Sequence, residues 1–514
     1  MAGREFSSAL IYHETTKHSE VSLGASGHYL DWGNKPAPFK EYKNLSSISL
    51  PRDFPRPDGN SIATIKSALK KSSIKRFDMG TLSELLFFSA GLTRKIRFGR
   101  EFHYMRAASA TGALYPIELY VISGLIDGLE TGVYHFNPLH FSLVKLREGD
   151  YRTALNEAGS PDSTSSPVTL AFTSLAWRNA WKYEARSYRH WFWDSGVIVA
   201  NLLATSNSLG LAAKVALGFV DSKVDQLLGL EPKKEATVAL VTLGADGNGK
   251  NPSTRVLIQR IAPAVNPLSK EEVDYPIIWE TNEASHLKDK SETEAWKNLQ
   301  VSKRTNPSGS HIFPLHESGK VPSPPLDKVI LLRGSTRKFS HEPISFDNLS
   351  TIIHASTTDI PLDFLPEDES LIDFYFIANA VEGIPSGSYS YNQKTDSAEE
   401  LKALKNRSMS GYLCLGQQLF SDASVVFFLM TDLNSVLKSL GNRGYRAAQF
   451  EAGVRAGKIY LSSYAVGLGA SGSTFFDDAV TELFSPHAIN KNTMIAVGIG
   501  KPAYKAKPGR VLLK

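Results

Sequence analysis

Two basic strings with a central serine carry the clearest chemical signal in this sequence. Lys71–Phe77 reads Lys-Ser-Ser-Ile-Lys-Arg-Phe, and Arg333–Phe339 reads Arg-Gly-Ser-Thr-Arg-Lys-Phe, at an offset of 262 (333 − 71). Two cations and a hydroxyl donor suit a phosphate monoester, because arginine can bind phosphate through two parallel hydrogen bonds. A solvated basic turn would explain one string alone. The repetition, each time before a leucine-containing helix, favours a phosphate site.

Two runs of small residues could let a flat ring approach the backbone. Gly467–Gly472 reads Gly-Leu-Gly-Ala-Ser-Gly, whereas its counterpart Gly210–Val215 ends in a lysine and a valine. A helix-capping glycine explains Gly210 but not three glycines in the later run. Arg106–Pro116 is also rich in small residues and has no second copy. It could line a flat cofactor or form a tight loop before a strand.

Lys182 and Tyr183 form a candidate acid–base pair just before a strongly apolar helix. Burial would lower the pKa of the lysine, which could then act as a base or proton carrier. The second copy has Ser439 and Leu440 at the corresponding positions. An exposed Lys-Tyr pair without a chemical role is the alternative.

These residues belong to two copies of one unit, because matching features recur about 257 positions apart. We expect an N-terminal arm over 1–60, a first repeat over 61–250, a linker over 251–325 and a second repeat over 326–514. Helices and strands alternate in both repeats, which indicates an α/β (or α+β) layer structure. The predicted helices are 61–71, 81–90, 194–209, 327–332, 346–355 and 445–466, and the predicted strands are 119–122, 132–136, 236–243, 373–378 and 493–498.

The two longest predicted helices each carry a stripe of small residues. These residues are Gly196, Ala200 and Ala204 in the first, and Ala448, Ala452, Gly453, Ala456 and Gly457 in the second. Small side chains let another helix backbone approach closely, so we expect these helices to pack on each other. The chain would then be a dimer folded into one polypeptide. Packing of each stripe inside its own domain is the alternative.

The composition is that of an ordinary soluble globular protein, with 42% hydrophobic and 21% charged residues over 514 positions. The single cysteine, Cys414, cannot form an intramolecular disulfide, and no Cys/His cluster has metal-ligand spacing. The net charge is only +5, and the sequence has no run of lysines and arginines that would indicate nucleic-acid binding. No signal-peptide core or membrane-length apolar run is visible, so we expect a cytoplasmic protein without a membrane partner.

Together these strings resemble the SagB-type dehydrogenases, the azoline-oxidising branch of the nitroreductase-like FMN flavoproteins, in a tandem-domain form. The resemblance implies two nitroreductase-like repeats, each a mainly antiparallel sheet flanked by helices, packed as an intramolecular pseudo-dimer with FMN at the interface. The segments that carry it are 12–14, 38–40, the two basic strings, 112–116, 132–134, 181–183 with Arg186, 188–189, and 467–470.

The flavin-binding residues implied by the resemblance come from both repeats. In the second repeat, the phosphate would be held by Arg333, Ser335 and Arg337. The isoalloxazine ring would be lined by Gly469, Ala470 and Ser471. Those of the first repeat are Arg106, Ser109, Ala110, Thr111 and Gly112. The family usually has Pro-Ser where this chain has Ser109-Ala110, so the hydroxyl at the second of these positions is missing. The reciprocal site would combine Lys71, Ser73 and Lys75 with a loop that the second copy lacks, so one FMN per chain is expected.

The resemblance implies an FMN-dependent dehydrogenase that oxidises a thiazoline or oxazoline ring of a modified peptide to an azole. Lys182 with Tyr183 would accept the proton. The implied partners are a modified peptide or small-molecule substrate and a cyclodehydratase complex. Two alternatives stay open: an NAD(P)H-dependent reductase of nitro, quinone or ene compounds on the same flavin fold, and a non-catalytic scaffold of a peptide-modifying complex.

Overall fold

The computed structural model describes residues 7–73, 76–99, 101–244, 256–301, 309–316, 321 and 323–505. In the first half of this part of the chain, the helices are α1 (Ser7–Thr15), α2 (Glu20–Ala25), α3 (Ser61–Lys66), α4 (Met79–Ala90), α5 (Arg152–Glu157), α6 (Ala176–Tyr183), α7 (Ser187–Ser208) and α8 (Asp221–Leu228). The strands are β1 (Ser47–Ser49), β2 (Leu92–Phe98), β3 (Glu101–Arg106), β4 (Ile117–Ser123), β5 (Gly132–Asn137), β6 (Ser142–Glu148), β7 (Val168–Leu175), β8 (Ala213–Ala216) and β9 (Glu235–Leu243).

The second half repeats this arrangement after two additional helices. Its helices are α9 (Pro276–Ala284), α10 (Lys290–Lys297), α11 (Leu326–Leu332), α12 (Phe346–Thr357), α13 (Ser408–Leu413), α14 (Gln418–Asp422), α15 (Leu433–Leu440), α16 (Arg443–Ala465) and α17 (Asp477–Phe484). Its strands are β10 (Ile312–Pro314), β11 (Asp373–Ala378), β12 (Gly387–Asn392), β13 (Ser397–Ala403), β14 (Val425–Thr431), β15 (Gly469–Ser473) and β16 (Asn492–Gly500).

The two main sheets have the same topology. The first has the strand order β1-β6-β5-β4-β7-β9-β8, and the second has the order β10-β13-β12-β11-β14-β16-β15. Neighbouring strands of both sheets are antiparallel in the described residues. The predicted α/β (α+β) fold, two mainly antiparallel sheets flanked by helices, is confirmed.

One face of each sheet packs into a hydrophobic core that the two repeats share. Leu119 of β4 and Phe376 of β11 both lie in this core, together with Trp191 of α7 and Phe450 of α16. The opposite face of each sheet packs on a separate cluster of its own repeat. Because neither repeat could bury its inner face alone, the two repeats form one packed unit.

The central contact of the shared core is made by α7 and α16, as the stripes of small residues predict. A Cβ placed on Gly196 would lie 2.6 Å from the backbone nitrogen of Val454, and one on Gly453 would lie 2.7 Å from the carbonyl oxygen of Phe192. These two glycines therefore allow backbone-to-backbone contact that a larger residue would prevent. The predicted pseudo-dimer is confirmed.

Two equivalent ion-pair clusters also join the repeats. Asp477 at the start of α17 bonds Arg186 and Arg189 at 2.9 and 2.8 Å, and all three side chains are buried. The counterpart is Asp221 at the start of α8, which bonds Arg443 and Arg446 at 2.6 and 2.7 Å. Each aspartate thus pairs with two arginines of the opposite repeat.

Three expectations from the sequence differ from the structure. The helix expected over 61–71 ends at Lys66, where the side-chain amide of Asn207 bonds the carbonyl oxygens of Thr64 and Ser67. The small-residue run after Gly467 forms strand β15 and is not an open turn. The expected linker, 251–325, contains α9, α10 and β10. Strand β10 pairs with β13 as β1 pairs with β6.

Candidate functional site

The basic string of the second repeat follows α11 and contacts the first repeat directly. The Arg333 guanidinium, only 6% exposed, donates from Nε to the carbonyl oxygen of Ala107 at 2.8 Å and from Nη2 to that of Arg106 at 2.9 Å. The predicted phosphate ligand Arg333 therefore also ties the two repeats together. Ser335 is half-buried and Arg337 is exposed.

Strand β15 lies behind this string. The backbone N–H of Thr336 donates to the carbonyl oxygen of Ala470 at 2.9 Å, and a Cβ on Gly469 would lie 2.1 Å from the Thr336 hydroxyl. Gly469 and Ala470 thus support the string from behind, whereas Ser471 is 2% exposed and Gly472 is exposed. Residues 469–471, which were predicted to line a ring, lie in this edge strand.

The small-residue loop of the first repeat is held by a buried aspartate of α7. The backbone N–H of Thr111 donates to the Asp194 carboxylate at 2.9 Å, and its hydroxyl donates at 2.8 Å. Ser109 and Ala110 line a cavity together with Arg106 and Asp194. Burial raises the pKa of Asp194 to about 7, although the bonds from Thr111 oppose this rise.

Gly112 brings the loop against the candidate acid–base pair. Its φ is +63°, in the left-handed region that favours glycine, and a Cβ there would lie 2.6 Å from the Tyr183 hydroxyl oxygen. Tyr183 in turn packs edge-to-face on His190, with ring centroids 4.7 Å apart. The predicted loop and the predicted pair are therefore neighbours.

Lys182 and Tyr183 have opposite pKa shifts. Burial lowers the pKa of Lys182, and the positive charges of Arg337 and Lys35 lower it further. Burial also raises the pKa of Tyr183, and the negative charge of Asp194 adds to this rise. Lys182 is thus the more available base, and Tyr183 stays a hydrogen-bond donor. The positive charge of Arg337 in the second repeat thus acts on the pKa of both groups in the first.

Arg106 is a buried cation among the predicted flavin-binding residues. It is 3% exposed and donates from Nη2 to the carbonyl oxygen of Pro38 in the N-terminal arm at 3.0 Å. Its Nε is buried without a hydrogen-bond partner in the described residues. Burial lowers the pKa of Arg106 to about 10. This unsatisfied donor beside the cavity is where a polar ligand atom would be stabilised.

The residues present fit a flavin mononucleotide by the chemistry of their donors. Ser335 and Arg337 have side chains that make no hydrogen bond or ion pair within the described residues, and they offer a hydroxyl and a cation to a phosphate. Small residues of the first repeat, Ala108 to Ala110, line the cavity beside Arg106. The second repeat thus offers donors to an anionic group, and the first repeat offers small residues at a cavity.

The pseudo-symmetric position in the first repeat is closed. The outer edge of β8, the counterpart of β15, pairs with residues 361–363 of the second repeat: the N–H of Val215 donates to Pro361 at 2.8 Å and its carbonyl accepts from Asp363 at 2.9 Å. The Asp363 carboxylate also accepts from the backbone N–H groups of Leu217 and Gly218. Of the residues expected in the reciprocal phosphate site, Lys71 is exposed, and Ser73 donates its backbone N–H to the carbonyl oxygen of Gly210. Lys75 lies outside the described residues.

Three residues of the site were not found from the sequence. Asp194 was a possible signal, because a carboxylate within a strongly apolar helix is rarely without a partner. Asn201 bonds the carbonyl oxygens of Phe88 and Ala107 and so holds the small-residue loop from below. Arg94 of β2 reaches across the repeats to the carbonyl oxygens of Leu331 and Leu332, and no sequence pattern indicated it.

In the part of the chain that the structure describes, no group of three or more His, Cys, Asp or Glu side chains could hold a metal ion. None of the helices there is both long enough and apolar enough to cross a bilayer.

Comparison with known proteins identifies both repeats. The Nitroreductase family model matches residues 64–245 and 330–501, more than half of the chain. A crystal structure of a nitroreductase-like protein from Anabaena variabilis is 26% identical, covers 97% of this chain and 100% of that chain, and has a TM-score of 0.77. The pseudo-dimer therefore has a counterpart of the same extent.

Two relatives are named as processing proteins, one for trifolitoxin and one for microcin B17. Trifolitoxin-processing protein TfxB of Rhizobium leguminosarum bv. trifolii is 32% identical over 190 residues, which are 35% of this chain and 51% of TfxB, so the match spans about half of that relative. Microcin B17-processing protein McbC of Escherichia coli is 24% identical over 250 residues, 46% of this chain and 85% of McbC. The resemblance noted from the sequence is confirmed: the chain belongs to the nitroreductase family of flavin-type oxidoreductases, with two copies of the family's domain.

Proposed function

We propose that this protein is an FMN-dependent dehydrogenase that oxidises a thiazoline or oxazoline ring in a modified peptide to the corresponding azole. The observation that carries the proposal is that Arg333 of the second repeat bonds the carbonyl oxygens of Arg106 and Ala107, at the start of the first-repeat loop whose Gly112 lies against Tyr183. An oxidation that removes a proton together with a hydride needs a base near the reacting carbon, and Lys182, whose pKa is lowered by burial, can serve as one. The names of the two peptide-processing relatives support a peptide substrate.

The flavin would lie between the repeats. Ser335 and Arg337 would bind its phosphate, together with the part of the Arg333 guanidinium that does not bond the first repeat. Ser109 to Gly112 and the β15 edge would border its ring, and Arg106 would offer its unpaired Nε. When bound, FMN would supply the acceptor for the hydride that the ring loses.

Lys182 would take the proton that leaves the azoline carbon. Its side chain is half-buried, with Nζ 5.3 Å from the centroid of the Tyr183 ring. A lowered pKa raises the fraction of neutral amine near neutral pH, and so the fraction of enzyme ready to react. Tyr183, kept protonated by its surroundings, would orient the substrate by donating a hydrogen bond.

We further propose one FMN per chain. The pairing of residues 361–363 with the edge of β8 supports this proposal, because it covers the surface that corresponds to the β15 edge. Lys297 bonds Asp363 at 2.9 Å, and Trp296 packs on Phe364 with ring centroids 4.9 Å apart, so this cover is firmly anchored.

Replacement of Lys182 by alanine tests the proposed reaction. We expect purified Lys182→Ala protein to retain its flavin, measured by absorbance, and to lose at least 100-fold in turnover of a thiazoline peptide, in line with the usual contribution of a general base. Product is detected by mass spectrometry as the loss of two hydrogen atoms per ring. Lys438→Ala is the matched control, because Lys438 is an exposed lysine in the last turn of α15, the counterpart of α6. Unchanged turnover in Lys182→Ala would remove Lys182 from the mechanism.

A second candidate is an NAD(P)H-dependent reductase of nitro, quinone or ene compounds. The full-length similarity to the Anabaena variabilis protein favours it, because that protein is named as a candidate nitroreductase. Anaerobic stopped-flow mixing with NADPH separates the two. Rapid bleaching of the flavin band supports the reductase, whereas a flavin that is indifferent to NADPH but bleached by the azoline peptide supports the dehydrogenase.

A further inference from the structure

The first repeat carries a two-stranded hairpin, β2 and β3, that the second repeat lacks. In the described part of the chain these two strands pair only with each other and stay outside both main sheets. At the equivalent position, between α12 and β11, the second repeat has residues 358–372, which contain no strand of their own. The hairpin is therefore a feature of one half of the pseudo-dimer.

The base of the hairpin lies against the candidate site. The carbonyl oxygen of Arg106, the last residue of β3, accepts a hydrogen bond from Arg333 of the second repeat at 2.9 Å. Arg94 of β2 bonds the carbonyl oxygens of the last two residues of α11, directly before the second basic string. A Cβ on Gly334 within that string would lie 3.5 Å from Nη1 of Arg94. Both strands of the hairpin thus contact the segment that is predicted to bind the phosphate.

One face of the hairpin is cationic, aromatic and open to solvent. The strand register places Lys95 opposite Tyr104 and Arg97 opposite Phe102, so these four residues share one side, the hairpin face. Lys95 and Arg97 are exposed, and Phe102 is 48% exposed with the Lys95 ammonium 4.0 Å from its ring centroid. Arg97 donates from Nε to the Gly99 carbonyl oxygen at 3.0 Å, and neither cation forms an ion pair with any described side chain. The hairpin face therefore presents two cations that are available to a partner.

The charges beside the two basic strings differ between the two halves. The hairpin, residues 92–106, contains five arginines and lysines and one glutamate, whereas its counterpart 358–372 contains five aspartates and glutamates and no arginine or lysine. In the closed half, Glu367 of this acidic segment bonds Lys70, directly before the first string, at 2.8 Å. In the half with the candidate site, the second string meets Arg94 of the hairpin instead. Positive charge is therefore covered in one half and concentrated in the other.

We propose that the hairpin face binds an acidic, extended segment of the peptide substrate. The proposal rests on the proposed function, which supplies a peptide. Lys95 and Arg97 are two residues apart on one strand, about 6.6 Å, which is also the repeat at which an extended peptide presents alternate side chains. Aspartates or glutamates at alternate positions of such a segment can therefore pair with both cations. Arg97 lies about 10 Å along the strand from Arg94, so the segment holds the peptide close to the junction of the two repeats.

Fluorescence anisotropy with a labelled probe peptide tests this surface without requiring turnover. The acidic probe is a short peptide in which glutamate and glycine alternate, and the neutral probe has glutamine in place of glutamate. We expect the double variant Lys95→Gln/Arg97→Gln to bind the acidic probe about fivefold to thirtyfold more weakly, in line with the loss of two exposed ion pairs. Binding of the neutral probe should not change. The flavin content of this variant, measured by absorbance, should equal that of the parent protein.

The matched control is Lys402→Gln/Lys405→Gln, which removes the same charge from two exposed lysines at the end of β13. It should bind the acidic probe as the parent protein does. Reversal of charge gives a second test: Lys95→Glu/Arg97→Glu should prefer a basic probe, in which lysine replaces glutamate.

Four results would overturn the role of the hairpin face. The first two are unchanged affinity in Lys95→Gln/Arg97→Gln and an equal loss in the control variant. The third is loss of flavin from Lys95→Gln/Arg97→Gln, which would assign the two cations to the cofactor. The fourth is tighter binding of a labelled single-stranded oligonucleotide that the same variant loses, which would make the face a nucleic-acid surface. Failure of the proposed reaction is separate, because a protein that binds the acidic probe through Lys95 and Arg97 but never oxidises an azoline would refute only the reaction.

Discussion

Gly112→Ala should separate the small-residue loop from the acid–base pair. The added Cβ would lie 2.6 Å from the Tyr183 hydroxyl oxygen, whereas ordinary contacts begin at 3.4 Å, so the two groups must separate by about 0.8 Å (3.4 − 2.6). A displacement of about 1 Å in a catalytic arrangement costs about 100-fold in rate. The left-handed φ of +63° adds a backbone cost of about 1 kcal/mol to folding. We therefore expect kcat to fall between tenfold and 100-fold, with flavin retained.

Gly467→Ala is the control that isolates the clash. Gly467 has a φ of +79° and nothing within 4 Å of a built Cβ, so alanine there carries the backbone strain without a steric conflict. Both variants should lose about 1 kcal/mol in urea unfolding. Of the two alanine variants, only Gly112→Ala should lose turnover of the azoline peptide. In a Tyr183→Phe background, which lacks the hydroxyl and has its own lower turnover, Gly112→Ala should cause a smaller further loss. Equal kcat values for the two alanine variants would refute the proposed contact between the loop and Tyr183.

Two other predictions concern charge. Lys35→Gln removes a positive charge that lowers the pKa of Lys182, so this pKa should rise and the ascending limb of the kcat–pH profile should move to higher pH; an unmoved limb would count against Lys182 as the base. Asp477→Asn leaves two buried arginines without a carboxylate and should cost about 3–5 kcal/mol in urea unfolding, with a similar loss for its counterpart Asp221→Asn. The arginines lower the pKa of both aspartates in the folded protein. The stability contributed by these ion pairs is therefore fully present above about pH 4, the ordinary carboxyl pKa. It is lost as the pH falls towards the lowered pKa of the folded state. A loss below about 1 kcal/mol, the value of a surface pair, would contradict the burial of these clusters.

Elements with a strong local pattern could be predicted from the sequence. The strand over Asp373–Ala378 has the bounds that its apolar run indicated, and α16 begins and ends within two residues of its prediction. The small-residue stripes correctly predicted that α7 packs on α16. Glycine and alanine at helical spacing let another helix backbone approach closely. Duplication helped as well, since each copy supported the interpretation of the other.

Contacts between distant segments could not be predicted in this way. Residues 361–363 read Pro-Leu-Asp, and nothing local indicates that they extend the edge of β8 in the other repeat. The partner of Asp194 lies 83 positions away at Thr111, and the acceptors of Arg333 lie more than 220 positions away. The basic string predicted Arg333 as a cation for a phosphate, but it did not indicate that Arg333 joins the two repeats.

The flavin content of the purified chain tests the central claim, a single flavin site shared by two unequal repeats. Absorbance of FMN released by heat, divided by protein concentration, should give one FMN per chain. Arg337→Ala should lower this ratio strongly, whereas Lys71→Ala, an exposed cation of the corresponding string in the first repeat, should leave it unchanged. Two FMN per chain, or equal losses in the two variants, would contradict the account.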